Sequence, residues 1–208
     1  MMQVVLATRN EGKLAELRRI LEGLDVDLAS SAELGLPDVE ETGGTFAENA
    51  LLKAHAGAQA SGLPCLADDS GLVVDALAGR PGVRSARYAG AHRDDEANLR
   101  LVLEQMRGVQ NRAARFVCVA ALATPDGRQW TEEGAVEGVL TREPRGEGGF
   151  GYDPILQPLG EDRTTAEMSA GDKDAISHRG KAFRAIRRHV AALAEESTGE
   201  ALTRRARS

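Results

Sequence analysis

Aromatic residues are scarce in this chain: four Phe, two Tyr and one Trp among 208 residues. Ala, Leu and Val must therefore fill most of any interior. Cysteine is rarer still. Cys65 and Cys118 each lie in an apolar run, Leu63-Pro64-Cys65-Leu66-Ala67 and Phe116-Val117-Cys118-Val119. That placement points to buried thiols, not to a disulfide framework or a Cys-x-x-Cys metal site. No apolar run approaches the ~18 residues of a membrane span. Met1-Met2-Gln3-Val4-Val5-Leu6 also lacks the basic and long apolar regions of a signal peptide. A cytoplasmic location without membrane association is expected. Excess positive charge is missing too. The formal net charge is −6, which argues against nucleic acid as the main partner. It leaves room for a phosphate-bearing small molecule, because Lys and Arg can cluster locally in an acidic protein. There is no Gly-Lys-Ser/Thr phosphate loop, and no local motif suggests a Ser-His-Asp or Cys-His arrangement.

What is present is an ordinary globular balance, 42% hydrophobic and 28% charged. The length suits one large domain or two tightly joined lobes. Val4 to Ala7 reads as a strand, and Asn10 caps a helix carrying Leu14, Leu17 and Leu21 at helical spacing. Val26 to Ala29 is a second strand. Thr45-Phe46-Ala47-Glu48 is a capping box, so a helix runs from Phe46 to about Ser61. Pro64 to Ala67 is a short strand ending on Asp68-Asp69-Ser70-Gly71, after which Leu72 to Val74 continues in extended form. Asp94 or Asp95 caps a helix with Leu99, Val102, Leu103 and Met106 on one stripe. Arg115 to Thr124 and Arg128 to Thr131 form a hairpin, and Ala135 to Leu140 is a further strand. Ser177 caps the last helix. The pattern implies an α/β fold, a mixed twisted sheet flanked by helices. With no separating linker, residues 1–196 form a single domain, and 197–208 are a polar, disordered tail.

Four clusters could carry chemistry. Thr8-Arg9-Asn10-Glu11-Gly12-Lys13 is either a phosphate-binding strand-to-helix turn or an ordinary capped turn. Glu40-Glu41 precedes a helix bearing Asn49 and Lys53 on one face, where acids are also explained by the helix dipole alone. Asp68-Asp69 is hard to explain by packing. A lone buried charge costs several kcal/mol, and a magnesium ion would remove the difficulty. The fourth cluster is Gly148-Gly149-Phe150-Gly151-Tyr152-Asp153 with Lys173 and Ser177-His178-Arg179-Gly180. Gly146-x-Gly148-x-x-Gly151 matches the dinucleotide fingerprint literally. Asp153-Pro154 follows at once, however, and no helix opens there. The loop would instead let Phe150 or Tyr152 approach a flat base.

In order, the chain contains Thr-x-Asn-x-x-Lys, Glu-Glu-Thr-Gly-x-Thr-Phe-x-Glu-Asn-Ala, Ala-Asp-Asp-Ser-Gly-Leu, Gly-x-Pro-Gly-Val-x-Ser-Ala-Arg-Tyr, Gly-Gly-Phe-Gly-Tyr-Asp-Pro and Ile-Ser-His-Arg-Gly. These six blocks, spanning roughly Val4 to Leu193, closely resemble the inosine/xanthosine triphosphate pyrophosphatases of the Ham1 type. The resemblance implies two lobes with a central nucleotide-binding cleft. It implies hydrolysis of ITP, dITP and XTP to the monophosphate and pyrophosphate, a divalent metal such as Mg2+, and a homodimer. Carried over by position, Thr8, Arg9, Asn10, Glu11, Gly12 and Lys13 resemble the triphosphate-binding segment, though Arg9 stands where many members have a smaller residue. Lys53 resembles a second phosphate-binding lysine, and Asp69 the general base and metal contact. Glu41, in preference to Glu40, would be the other metal ligand. Ser70 resembles a substrate contact. Phe150, Gly151, Tyr152, Asp153, Lys173, His178 and Arg179 resemble the base pocket, in which Asp153 could accept from a purine N1–H. A Maf-like pyrophosphatase with another base preference and a non-catalytic nucleotide sensor are the competing readings.

Overall fold

The computed structural model describes residues 1–92 and 94–205, with side chains through residue 199. The sheet has six strands in the order β2-β1-β3-β4-β5-β6. They are β1 (Met2–Leu6), β2 (Val26–Ser30), β3 (Cys65–Val74), β4 (Ala113–Ala123), β5 (Gln129–Leu140) and β6 (Leu156–Pro158). β1 pairs in parallel with β2, Val4 opposite Leu28, and with β3, Val5 opposite Cys65. β6 pairs antiparallel with β5, Val139 opposite Gln157. Both orientations in one sheet, with helices between strands, make the mixed α/β fold expected from the sequence.

The helices begin where side chains replace missing backbone partners. Asn10 Oδ1 accepts the Lys13 N–H at the start of α1 (Glu11–Ile20). Thr45 and Glu48 cap α2 (Phe46–Ser61) reciprocally, and Gly62 ends it at φ 69°. Asp94 caps α3 (Asp95–Gln105), and Ser169 caps α4 (Ala170–Ile176), a short helix the sequence reading passes over. α5 spans His178–Arg205, with Ser177 Oγ accepting the Gly180 N–H at its start. The expected tail boundary at residue 197 falls within α5, and residues 206–208 lie outside the described residues.

Two features differ from the sequence reading. β3 does not stop at the acidic pair but carries it in mid-strand. The strand segments expected on either side of Glu132-Glu133-Gly134 are one strand, β5.

The chain divides into two compact units. One comprises Met1–Asp68, Val119–Glu132 and Ala182–Ser208. One of its buried clusters is built largely of small side chains, Val5, Ala50, Ala54, Ala58, Cys65, Ala67, Val119, Ala121 and Ala123, while larger groups such as Leu6, Leu17, Leu66, Phe183 and Ile186 are buried elsewhere in the unit. Ala50, Ala54 and Ala58 form a stripe along α2. Gly57 beside them leaves room for Cys65 Sγ, which a Cβ would strike. Burial pushes the Cys65 thiol up to about 12, so it is inert packing. The other unit comprises Asp69–Cys118 and Glu133–Lys181. Its core uses larger groups, among them Leu72, Leu99, Val102, Met106, Phe116, Tyr152 and Ile155. Among the described residues no helix is long and apolar enough to cross a membrane.

Candidate active site

In the first unit, three segments bring cations and carboxylates together. The turn after β1 is self-bonded: the Asn10 N–H donates to Thr8 Oγ1 (3.2 Å) and the Lys13 N–H to Asn10 Oδ1 (2.9 Å). Glu11 and Gly12 are the first helical positions, whose N–H groups lie outside the intrahelical ladder and point along the axis where an anion binds well. Lys13 reaches from this turn to Asp68, Nζ to Oδ2 at 2.9 Å. The Arg9 guanidinium donates to the Leu36 carbonyl at 2.8 Å.

The segment before α2 is fixed by the helix it precedes. Asn49 is fully buried, and its Oδ1 accepts the Gly43 N–H at 2.7 Å. A Cβ on Gly43 would collide with that amide. Glu48 accepts the Gly44 N–H at 2.7 Å and the Thr45 N–H at 3.1 Å. One turn after Asn49, Lys53 Nζ meets Glu41 Oε1 at 2.6 Å. Glu41 is half-buried against this lysine, whereas Glu40 is exposed. The sequence reading notes Asn49 only as sharing a face with Lys53. Its role is to set the loop that carries Glu41, and the local signal is an amide at the fourth position of a capped helix.

Asp68 and Asp69 are both buried and are held by different partners. Asp68 is the partner of Lys13, while Asp69 Oδ1 accepts the Ser70 N–H at 3.0 Å. The division into two units falls at the peptide bond joining them.

In the second unit, Arg179 is buried, and its Nη2 donates to Ser70 Oγ at 2.7 Å. Its guanidinium lies 5.5 Å from the Phe150 ring centroid, and Lys173 Nζ lies 5.0 Å from the same centroid. Cations over an aromatic face are attracted by its quadrupole. His178 stacks on Phe116 with centroids 4.9 Å apart. Lys173 Nζ also donates to Asp153 Oδ2 at 2.6 Å.

Two residues expected in the base pocket are held by partners within the protein. Tyr152 is a core side chain whose hydroxyl donates to the Ser85 carbonyl at 2.8 Å, and burial pushes its phenol above the ordinary range. Phe150, half-buried, is thus the ring available to a base. Asp153 accepts three hydrogen bonds from its own protein. Oδ1 accepts from Thr165 Oγ1 (2.8 Å), and Oδ2 accepts from the Phe150 N–H (2.8 Å) and from Lys173. It thereby ties Phe150 and Lys173 together. Thr165 escaped the sequence reading because its partner is twelve residues away in an irregular segment. At Gly149 (φ 72°) a Cβ would occupy the space of the Asp153 carboxylate.

The chain is thus an α/β protein with lysines paired to carboxylates beside a helix N-terminus in one unit and an aromatic ring under two cations in the other. The model of the Ham1 family matches residues 4–189, and the chain belongs to that family. A Streptomyces coelicolor protein named dITP/XTP pyrophosphatase is 60% identical over 191 residues, covering 89% of this chain and 96% of that protein. The solved structure of a HAM1 protein from Coxiella burnetii superposes with a TM-score of 0.85 at 43% identity, covering 92% of this chain and all of that one. A nucleoside-triphosphatase / dITP/XTP pyrophosphatase from Mycobacterium abscessus gives a TM-score of 0.71 at 48% identity, with 92% and 98% covered.

Proposed function

We propose that this chain hydrolyses the non-standard purine nucleoside triphosphates ITP, dITP and XTP to the monophosphate and pyrophosphate, clearing deaminated purines from the nucleotide pool. The observation that carries the reading is the mid-strand placement of two buried carboxylates, Asp68 against Lys13 and Asp69 beside it, in a Ham1-family sheet. Ionised groups are costly to bury, and a site that handles phosphates gives these a use.

The triphosphate lies along the turn from Thr8 to Lys13 and against Lys53. Asp69 takes a proton from a water whose oxygen bonds to the α-phosphorus. The bond from that phosphorus to the α–β bridging oxygen breaks, and pyrophosphate leaves whole. Lys13 and Lys53 offset the charge that grows on the leaving group. Mg2+ is commonly held by one or two carboxylates together with substrate phosphates. Among the described residues no group of three or more His, Cys, Asp or Glu is gathered for a metal, and the hard oxygens of Asp69 and Glu41 offer the smaller donor set. When bound, the ion neutralises phosphate charge.

The base stacks on Phe150. Lys173, His178 and Arg179 are donors suited to a 6-oxo group. The 6-amino group of adenine would leave those donors unmatched, a strong source of rejection. As the family resemblance implies, the enzyme is a cytoplasmic homodimer, which light scattering of the purified protein tests.

The deciding experiment is a panel of ITP, dITP, XTP, ATP, GTP and CTP with separate detection of pyrophosphate and orthophosphate, with magnesium and with chelator. Pyrophosphate from the first three substrates, dependent on the metal, is expected. Cleavage of ATP as fast as ITP, or release of orthophosphate, would overturn the reading.

A further inference from the structure

Phe150 carries the base in the reading above, and something must aim its ring. Two peptide units flank its Cα, and each presents an N–H to a carboxylate. The Phe150 N–H donates to Asp153 Oδ2 at 2.8 Å, and the Gly151 N–H donates to Asp95 Oδ2 at 2.8 Å. Because peptide planes are rigid, fixing both leaves the φ and ψ of Phe150 little freedom, and with them the direction of its side chain. Asp153 is buried and locked by Thr165 and Lys173. Asp95 is different. It is exposed, it opens α3, and it lies 56 residues earlier in the chain.

We infer that Asp95 is a positioning residue for base recognition, acting through the Gly151 amide to hold Phe150 at its stacking angle. The inference rests on the stacking role proposed for Phe150. An acid in the first turn of a helix ordinarily needs no further explanation, since it suits the dipole and can cap. Here the cap is already filled, because Asp94 Oδ1 accepts the Ala97 N–H at 3.0 Å. Asp95 instead turns to the loop. Gly151 sits at φ 62°, a conformation that side chains disfavour. An ionised acceptor makes a stronger bond than a neutral one. The Asp95 charge also adds to the upward push that burial gives the neighbouring Tyr152 phenol. The loop is thus held at three successive residues: Phe150 by Asp153, Gly151 by Asp95, and Tyr152 by the Ser85 carbonyl.

The test compares Asp95→Ala, Asp95→Asn and Phe150→Ala in the full chain by steady-state kinetics with ITP and ATP. Asp95→Ala is expected to raise KM for ITP by roughly 3- to 10-fold, the scale of ordering one side chain on binding. Its kcat should stay within about twofold, because the reacting atoms are untouched. Asp95→Asn keeps an acceptor and should restore KM to near the wild-type value. A merely structural loss would not produce that split between KM and kcat. Unchanged KM in Asp95→Ala, or an equal rise in Asp95→Asn, overturns the role of Asp95. If Phe150→Ala itself leaves KM for ITP unchanged, the stacking reading fails first, and the two failures are thereby told apart. Should Asp95→Ala not fold, hydrogen exchange of the Gly151 amide in the wild-type protein decides. Slow exchange upholds the bond, and exchange at a free-loop rate overturns it.

Discussion

The two units handle their lysines differently. In the first, the Lys13 and Lys53 side chains are 16% and 13% exposed, and they pair with Asp68, itself 1% exposed, and with Glu41. In the second, Lys173 is 7% exposed, its Asp153 partner is 4% exposed, and that carboxylate is also bound by Thr165 and by a backbone N–H. The difference matches two tasks. A cation meant for phosphates must be able to exchange a carboxylate for the substrate, so partial access serves it. A cation meant to read a base works through fixed geometry, so a carboxylate that is itself immobilised serves it better.

The comparison can be broken most forcefully at Asp69. Asp69→Asn should lower kcat for ITP by about 10²–10⁴-fold, the usual worth of a positioned general base, while nucleotide binding by calorimetry changes little. Near-normal turnover would remove Asp69 from the chemistry.

Lys173→Met against Lys53→Met tests the contrast between locked and exchangeable cations. Removing Lys173 strands a buried carboxylate at a cost of about 3–5 kcal/mol. The melting temperature should fall by roughly 10 °C for a chain of this size. Lys53→Met should move it by no more than about 2–4 °C, since pairs near the surface contribute about 0–1 kcal/mol, yet raise KM for ITP. Equal melting shifts would erase the distinction.

How much of this was legible in the sequence depends on how local each cause is. The start of α2 was readable to the residue, because Thr45 and Glu48 satisfy each other within one turn. The continuity of β3 was not. Asp68-Asp69-Ser70-Gly71 has the composition of a turn, and only its sheet neighbours keep it extended. β5 hid its continuity in the same way, because Glu132-Glu133-Gly134 looks like an interruption. The lysines were found as candidates without their partners: Asp68 lies 55 residues from Lys13, and Asp153 lies 20 from Lys173. The partners of Tyr152 and Asp153 within the protein, Ser85 and Thr165, are distant in the chain and so illegible in the sequence.

Smaller effects sharpen the picture. Thr45→Ala removes one half of the capping box and should cost about 1 kcal/mol, read from denaturant midpoints. Activity should drop only as far as the Glu41 loop loosens.

The smallest effect concerns the exposed Arg18–Glu33 pair, N to O at 2.8 Å. The Glu33 carboxyl is held down from 4.5 to about 2, chiefly by the Ser30 backbone N–H, then by the Ser30 hydroxyl and by Arg18. A depressed acid contributes stability above its unfolded value, and the contribution fades as pH falls from about 4.5 toward about 2. The difference in denaturant midpoint between wild type and Glu33→Gln should therefore be present at pH 6 and shrink at pH 2.5. A difference that ignores pH would show that the carboxylate charge is not its source.

One feature limits how such a protein can be retuned. The space where Gly149 would carry a Cβ is taken up by the Asp153 carboxylate. Position 149 is therefore closed to variation for as long as Asp153 stays, and a single exchange at either residue breaks the fit. A chain of this design can drift toward another base only through side chains that face the ligand, Phe150 first among them. A library built to change its base preference should hold Gly149 and Asp153 constant and vary the positions around them.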